Sequence, residues 1–415
     1  MGGVADYVPR SLDSVIDRLL GQVSAIMLTG PRATGKTTTG LRHARAVLRL
    51  DRPAEAEGVA ADPDAVLRDL PEPVLVDEWQ AVPDVLGAVK RAVDVDPRPG
   101  RFIVTGSVRG ELTTPTWPGT GRLVRIPMHG LTVREQLGRL GGTPLLDRLV
   151  TGGVEAVAVP ADVPDLRGYV DLALAGGFPD ALAVPTDDGR ARWLASYVEQ
   201  LVTRDAVDVG RVRDPVVLSR FLEAVALHSA GVVPDASLAR DVGVSVPTVR
   251  SYDVLLANLL VIDTVPAWWT NRLKRLTRAP KRYVVDVGLM SGALGLDADG
   301  VLRDGNLLGR VLDTFVVSQV RAELPLSARA PRLFHLRREE GSREVDLVGE
   351  FGGGRVVAIE IKARSAPRRE DFRHLEWLRD ELGERFHAGL LLHTGPRGYA
   401  VSDRVSAAPI CSLWA

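Results

Sequence analysis

Eight residues carry the clearest chemistry in the chain. Gly30-Pro31-Arg32-Ala33-Thr34-Gly35-Lys36-Thr37, followed by Thr38, fits the spacing G-x-x-x-x-G-K-[ST]. Glycines at those positions let the backbone curl so that its N–H groups face phosphate oxygens, and a helix starting at the loop adds its positive end. Lys36 has the reach and point charge for β- and γ-phosphates, and Thr37 offers a hydroxyl to Mg²⁺. A glycine-rich turn that merely starts a helix is the bland alternative. It accounts less well for strand, loop, Lys-Thr and helix in one order.

A second acidic centre follows. Val74-Leu75-Val76 reads as a buried strand that delivers Asp77 and Glu78 to its C-terminal end, where ligands of parallel sheets bind. Asp77 suits Mg²⁺, and Glu78 suits a base that polarises an attacking water. Thr105 and Ser107 end another strand, and either can sense a γ-phosphate. Arg122, in Gly121-Arg122, is either an arginine finger, supplied in cis or by a neighbouring copy, or an ordinary surface arginine.

A third set lies near the C-terminus. In Glu344-Val-Asp346 and Glu360-Ile-Lys362, period two puts alternate residues on one strand face. Strands turning back on each other bring Asp346, Glu360 and Lys362 together. Two carboxylates would hold a metal, and the lysine would orient water, as in the D-x(n)-E-x-K pattern of restriction-like nucleases. A solvated Glu–Lys pair on an exposed strand fits the same letters. Of 52 basic residues only five are lysines, namely Lys36, Lys90, Lys274, Lys281 and Lys362, so lysine marks positions where an arginine fork does not serve.

These residues need positioning elements. Apolar runs at 23–29, 73–77, 101–106 and 121–127 alternate with helical patterns, including a helix from the glycine loop to about residue 50, and predict a parallel α/β block over 1–140. Residues 141–165 read as a Gly/Pro-rich linker. Residues 166–300 read as helical, broken at Gly176-Gly177-Phe178-Pro179, then as helix, turn and helix with Gly243 at the turn and Ser245 as cap, then as two strands around a basic loop. That loop has Arg272, Lys274, Arg275, Arg278, Lys281 and Arg282 beside Trp268 and Trp269. It suits DNA phosphates and stacked bases, and equally an interdomain contact. Residues 301–415 return to α/β, with a helix at 306–323, strands near 333–337, 344–348 and 355–362, a helix at 368–383 and a strand at 388–393.

Composition narrows the function classes. The 415 residues are 45% hydrophobic and 25% charged, with net charge −1, so the whole chain is not a polycation that coats nucleic acid. One cysteine, Cys411, excludes an internal disulfide framework and a thiolate zinc site. No apolar run reaches ~18 residues and no secretory leader is evident, so a soluble cytoplasmic protein without membrane contact is expected.

GPRATGKT (30–37), LVDEWQ (75–80), FIVTGS (102–107), the pair at 121–122, GGFPDAL (176–182), YVVDVGL (283–289) and EVDLV…IEIKA (344–363) together resemble prokaryotic AAA-type ATP-binding proteins with a C-terminal domain of unknown function. The resemblance spans nearly the whole chain. It implies an AAA-like P-loop ATPase core, a winged-helix segment, and a C-terminal PD-(D/E)XK nuclease-like fold over 301–415. In such a fold an upstream helix brings another acid, and Asp313 stands where that family usually shows glutamate. The leading expectation is an Mg²⁺-dependent ATPase driving modules that engage DNA through the winged helix and loop 272–282. The alternatives are a nucleotide-dependent switch whose modules bind protein partners, and a transcription regulator with ATP as effector. A homo-oligomer is compatible with each.

Overall fold

The computed structural model describes residues 7–107, 120–206, 214–276, 278–338 and 342–415. The chain forms two compact units, one of Met1–Leu131 with Asn258–Leu260, the other of Thr132–Ala257 with Val261–Ala415.

In the first unit the elements are α1 (Asp13–Leu20), β1 (Ala25–Thr29), α2 (Lys36–His43), β2 (Ala46–Arg49), α3 (Pro53–Ala61), α4 (Pro63–Arg68), β3 (Val74–Asp77), α5 (Val85–Val95), β4 (Phe102–Gly106) and β5 (Val124–Pro127). The strands form one parallel sheet in the order β2-β3-β4-β1-β5. Parallel strands covered on both faces read as continuous apolar runs, as β1, β3 and β4 do. On one face Met27, Val76 and Val104 pack with Val59, Leu67, Leu86 and Val89 from the crossover helices. Because the strands are parallel, the glycine loop after β1, the acids ending β3 and the hydroxyls ending β4 share one sheet edge.

The expected helix to residue 50 is corrected. It stops at His43, Ala44 turns extended (φ −97°, ψ 155°), and 46–49 becomes the edge strand β2. Arg45 and Ala46 donate to the Pro73 carbonyl (2.8 and 3.4 Å), and Leu48 reaches the apolar core. Pairing with β3 outweighs continuation of a short, threonine-rich helix.

The second unit opens with α6 (Val133–Gln136) and α7 (Leu145–Gly152). The expected linker 141–165 is therefore partly helix. Leu145, Leu146, Leu149 and Val150 are buried, and α7 packs on the C-terminal block, so its apolar face outweighs the flanking glycines. The helices α8 (Leu166–Ala175), α9 (Pro179–Leu182), α10 (Asp187–Gln200), α11 (Pro215–Leu227), α12 (Asp235–Val242) and α13 (Val246–Asn258) follow. Gly243 adopts φ 76° between α12 and α13, a left-handed turn that favours glycine. β6 (Ile262–Val265) and β7 (Lys281–Val284) form an antiparallel hairpin, with the short helix α14 (Arg272–Arg275) in its long loop. Then come α15 (Val287–Leu294), α16 (Ala298–Arg303) and α17 (Gly305–Glu323).

The C-terminal block contains β8 (Arg332–Arg338), β9 (Arg343–Glu350), β10 (Val356–Lys362), α18 (Arg373–Leu382), β11 (Phe386–His393), β12 (Tyr399–Ser402) and β13 (Val405–Pro409). Its mixed sheet runs β12-β13-β11-β10-β9-β8. β8, β9 and β10 pair antiparallel, whereas β10/β11 and β11/β13 pair parallel. β12, β13 and the buried turn Ile410–Trp414 extend the block beyond the strands expected from sequence. Among the described residues, no helix is long and apolar enough to cross a membrane.

Candidate functional site

The glycine loop is shaped by close approach. A Cβ at Gly30 would stand 2.0 Å from the Met128 carbonyl oxygen, so no other residue fits there without backbone movement. Gly35 takes φ 89° and Ala33 φ 57°, turning successive N–H groups inward ahead of α2. Thr34 Oγ1 donates to the Pro31 carbonyl (2.9 Å), as does Lys36 Nζ (2.7 Å). Arg32 and Thr38 are exposed. Lys36 is buried, which pushes its pKa down to about 8, while Glu78 and Asp77 nearby pull it back up. Arg10, which sequence reasoning missed, braces the loop. Its guanidinium donates to the carbonyls of Thr34 (3.1 Å), His129 (2.7 Å) and Gly130 (3.2 Å). A lone arginine ahead of the first helix gives no periodic signal by which to find it.

The β3 and β4 ends converge on that loop. Asp77 Oδ1 accepts from Thr37 Oγ1 (2.8 Å) and from Thr105 Oγ1 (2.6 Å). Thr105 Oγ1 in turn accepts from the Glu78 backbone N–H (3.1 Å). Glu78 sits in left-handed geometry (φ 55°), and its carboxylate accepts from Gln80 Nε2 and from Ser107 Oγ (3.3 Å). Thr37 and Asp77 therefore meet as two hard oxygen donors beside Lys36, a donor set that fits Mg²⁺. Arg122 lies elsewhere. It precedes β5, at the opposite sheet edge, roughly 15 Å from the loop at ~3.3 Å per residue. There its Nε donates to Asp94 Oδ1 (2.8 Å). It does not reach the phosphate loop of its own chain, and the cis finger is corrected on that ground.

The C-terminal acids are brought together around a cation that sequence reasoning placed on the hairpin. Ile359 pairs with Leu347 at the last rung of the β9–β10 ladder, and Asp346 and Glu360 each stand one residue beyond it. Between the pairs Phe334–Val348 and Leu336–Val345, β9 carries an extra residue beside Asp346. Such a bulge re-aims a side chain. The Ile361 N–H donates to Asp346 Oδ2 (2.9 Å). Into this cluster β7 sends Lys281, whose ammonium lies 3.0 Å from Asp346 Oδ1, 3.6 Å from Asp313 Oδ2 and 3.7 Å from Glu344 Oε1. Burial alone would push the Lys281 pKa down, but Asp346, Asp313 and Glu344 hold it well above its usual value. Lys362 Nζ reaches Glu360 Oε1 (2.5 Å). Burial, with Asp346 opposite, raises the Glu360 pKa to about 8. Burial likewise raises Asp313 to about 7. As placed, no three acid, histidine or cysteine side chains among the described residues are grouped to hold a metal ion. In this arrangement Lys281 holds Asp346 Oδ1 and Lys362 holds Glu360 Oε1, the two residues expected to share a metal.

The basic loop is also largely committed inside the molecule. Arg275 donates both Nη groups to Glu350 (2.6 and 2.9 Å), and Arg282 bonds Asp235 (2.6 Å) and Asp253 (3.0 Å). Trp268 is fully buried with Phe334, Leu336 and Val348. Trp269 lies under Arg338 (4.4 Å to the ring centroid) and Arg278 (5.1 Å). Of the expected phosphate-tracking residues, Arg272, Lys274 and Arg278 are exposed, while Lys281, Arg275 and Arg282 are not. The expectation that the whole loop 272–282 faces DNA is corrected accordingly.

Comparison with known proteins adds identity by region. Residues 22–137 match a family described as an AAA domain. Residues 166–300 and 308–413 match two families described as domains of unknown function, DUF8612 and DUF4143. The uncharacterized proteins Rv2008c of Mycobacterium tuberculosis and Mb2031c of Mycobacterium bovis are each 29% identical over 407 residues, covering 96% of this chain and 83% of theirs. Among solved structures, the Walker-type ATPase PABY2304 of Pyrococcus abyssi aligns with TM-score 0.44 and 14% identity, over 70% of this chain and 96% of that one. AMPPCP-bound DnaA from Aquifex aeolicus aligns with TM-score 0.24 and 13% identity, over 59% and 85%. The chain is thus similar to an AAA domain over residues 22–137 and to DUF4143 over residues 308–413.

Proposed function

We propose that the chain is an Mg²⁺-dependent ATPase whose nucleotide state governs its C-terminal modules. The observation that carries the reading is the continuous chain Thr37–Asp77–Thr105–Glu78 beside the buried Lys36. Lys36 and the loop N–H groups hold the β- and γ-phosphates. Thr37 and Asp77 hold Mg²⁺, which would supply charge neutralisation at the phosphates. Glu78, kept in place by Gln80 and Ser107, orients the attacking water and accepts its proton. Thr105 positions Asp77 and the Glu78 backbone, which makes it the better placed of the two expected sensors.

The order α17-β8-β9-β10-α18-β11 supports a nuclease-like reading of the C-terminal block, and α12, α13 and the β6–β7 hairpin support a winged-helix reading of the segment before it. DNA engagement would use Arg272, Lys274 and Arg278. One observation favours the second reading, a regulatory switch. The basic residues nearest the carboxylate cluster are spent on contacts within this same chain. The test is ATP hydrolysis measured with and without DNA at several salt concentrations. Stimulation that weakens with salt supports DNA engagement. Hydrolysis indifferent to DNA favours the switch, and no hydrolysis under any condition removes the ATPase reading.

A further inference from the structure

The β6–β7 loop holds a helical turn built inside out. In α14 and the residue after it, the charged Arg275 is 9% exposed, whereas Leu273 is 74% and Leu276 82% exposed. Leucine ordinarily takes the buried side of such a turn and arginine the wet side. Here Arg275 fills the inward side. Its guanidinium binds Glu350 through both Nη groups and donates from Nε to the Trp269 carbonyl (2.6 Å). It also lies over the rings of Phe334 (4.8 Å to the centroid) and Trp268 (5.3 Å).

The turn is formed and not frayed. The Asn271 side chain caps it, accepting from the Leu273 N–H (3.0 Å), and the Asn271 carbonyl accepts from the Lys274 N–H (3.1 Å). The Leu276 N–H donates to the Leu273 carbonyl (3.2 Å), and Leu276 keeps helical geometry (φ −71°, ψ −21°). Residues three apart on a helix are neighbours, so the two leucines stand side by side on the outer face. Two large apolar side chains left in water forgo the free energy of burial, which a partner would recover.

The surroundings give that partner its charge. No acid occurs between Thr264 and Val285, and Arg272, Lys274 and Arg278 are exposed about the leucines. The partner this surface fits is anionic and has slots that a leucine can enter. Protein grooves that take a helix by its side chains use anchors from i to i+7, more than the four-residue α14 offers. A bilayer gains little here. The two leucines carry fewer carbons than one myristoyl chain, which alone binds membranes only marginally. Duplex DNA supplies both parts within reach of one turn, with phosphates for the cations and base steps between which leucine wedges from the minor groove.

We propose that Leu273 and Leu276 form a wedge that enters a base step of duplex DNA while Arg272, Lys274 and Arg278 hold the flanking phosphates. The bound duplex is then locally unstacked and kinked, and not merely tracked along its backbone. Opening a step is easiest at pyrimidine–purine steps, so the wedge also gives the loop a preference for where it binds. The inference rests on the DNA-engaging reading of this loop and adds what the loop does to the duplex.

The test uses the full chain and a short duplex with 2-aminopurine beside a central pyrimidine–purine step. It is run in EDTA without nucleotide, and again with AMPPCP and Mg²⁺. Binding by wild type should raise 2-aminopurine fluorescence, because the base loses a stacking neighbour. Leu273→Ser/Leu276→Ser alters only exposed side chains and should melt at the wild-type temperature. It should bind the duplex about tenfold or more weakly and lose the fluorescence rise. Its slope of log affinity against log salt should stay at the wild-type value, because the phosphate contacts remain. Leu273→Met/Leu276→Met keeps the apolar bulk and should keep the rise. The inference is overturned if DNA binds with no rise, or if the serine variant binds and unstacks like wild type. The DNA reading then survives on the cations alone. No binding by wild type at low salt, with or without nucleotide, removes the DNA reading and this inference together. Two controls cover other occupants, namely vesicles of phosphatidylserine and phosphatidylcholine, and sedimentation of the protein alone. Vesicle binding or self-association that the serine variant loses, with DNA binding unchanged, assigns the leucines to a bilayer or a second copy and overturns the wedge.

Discussion

Single side chains divide the labour at the phosphate site in a way that variants can separate. Lys36→Ala removes the charge on the phosphates, and no other lysine is close in sequence to replace it, so triphosphate binding should be lost. Glu78→Gln keeps the shape held by Gln80 and Ser107 but not the base, so ATP should still bind while kcat falls by about 10²-fold or more. Wild-type turnover by Glu78→Gln would show that Glu78 is not the base. A different acid sets a pH dependence in the second unit. Asp286 caps α15, accepting from the N–H groups of Gly288 (2.7 Å) and Gly177 (2.9 Å). Burial raises its pKa from 3.8 to about 6 despite those two donors. The folded state therefore holds the proton more tightly than the unfolded state. This contribution to stability is full below about pH 4, falls as pH rises, and levels off above 6, a loss of up to about 3 kcal/mol. Asp286→Asn should flatten that segment of the stability profile relative to wild type, measured by denaturant unfolding between pH 4 and 7. Parallel profiles would assign the titration to other groups. Legibility at this scale followed chemistry. Lys36, Thr37, Asp77 and Glu78 were readable because phosphate binding demands fixed spacing in one loop and one strand end. Arg10 and Asp286 were not, because their work depends on what folds against them.

Elements were legible where their period was clean and less so where tertiary pairing decided. β1, β3, β4 and, in the C-terminal block, β8 to β11 declared themselves in the sequence, whereas β12 and β13 did not. β2 did not, since four residues on a sheet edge carry too short a pattern and depend on the Pro73 carbonyl for their first bonds. α7 was hidden by its glycine-rich flanks although Leu145, Leu146 and Leu149 lie at helical spacing. The β6–β7 loop is the instructive case. Its composition reads as a phosphate-tracking wing, yet charge count says nothing about direction, and half of that charge turns inward. The two halves give opposite predictions. Arg275→Ala strands Glu350, whose side chain is 9% exposed, and should cost about 3–5 kcal/mol of stability with little specific effect on DNA. Arg272, Lys274 and Arg278 replaced together by alanine should leave the melting temperature nearly unchanged. If the loop does track DNA, the slope of log affinity against log salt should fall by up to about 0.9 for each phosphate no longer neutralised. An unchanged slope would take DNA away from this loop.

At the scale of the whole molecule, the sheet topology limits how the ATP site can be completed. The glycine loop, Asp77, Glu78 and Thr105 sit at the C-terminal edge of the parallel strands, and Arg122 sits at the other edge, paired with Asp94, which Lys90 also holds (2.7 Å). A strand length separates it from Lys36 in the same chain, and no side-chain rotation spans that distance. An arginine finger at Arg122 can therefore act only on a second copy, and such a copy would have to present its phosphate edge to this chain's opposite edge. A head-to-tail contact of this kind generates rings or filaments, whereas a two-fold dimer would have to hold both edges within one interface. If the finger operates, turnover per chain should rise with protein concentration and level off once assembly is complete. Arg122→Ala should then lower kcat while leaving ATP binding intact. Mixing it with Glu78→Gln should restore part of the activity, because some contacts would join an intact finger to an intact base. Turnover independent of concentration, with Arg122→Ala as active as wild type, would make Arg122 a surface partner of Asp94. Completion of the phosphate edge would then fall to other groups, among them Arg32 in the loop itself and Arg10, which bonds the Thr34 carbonyl.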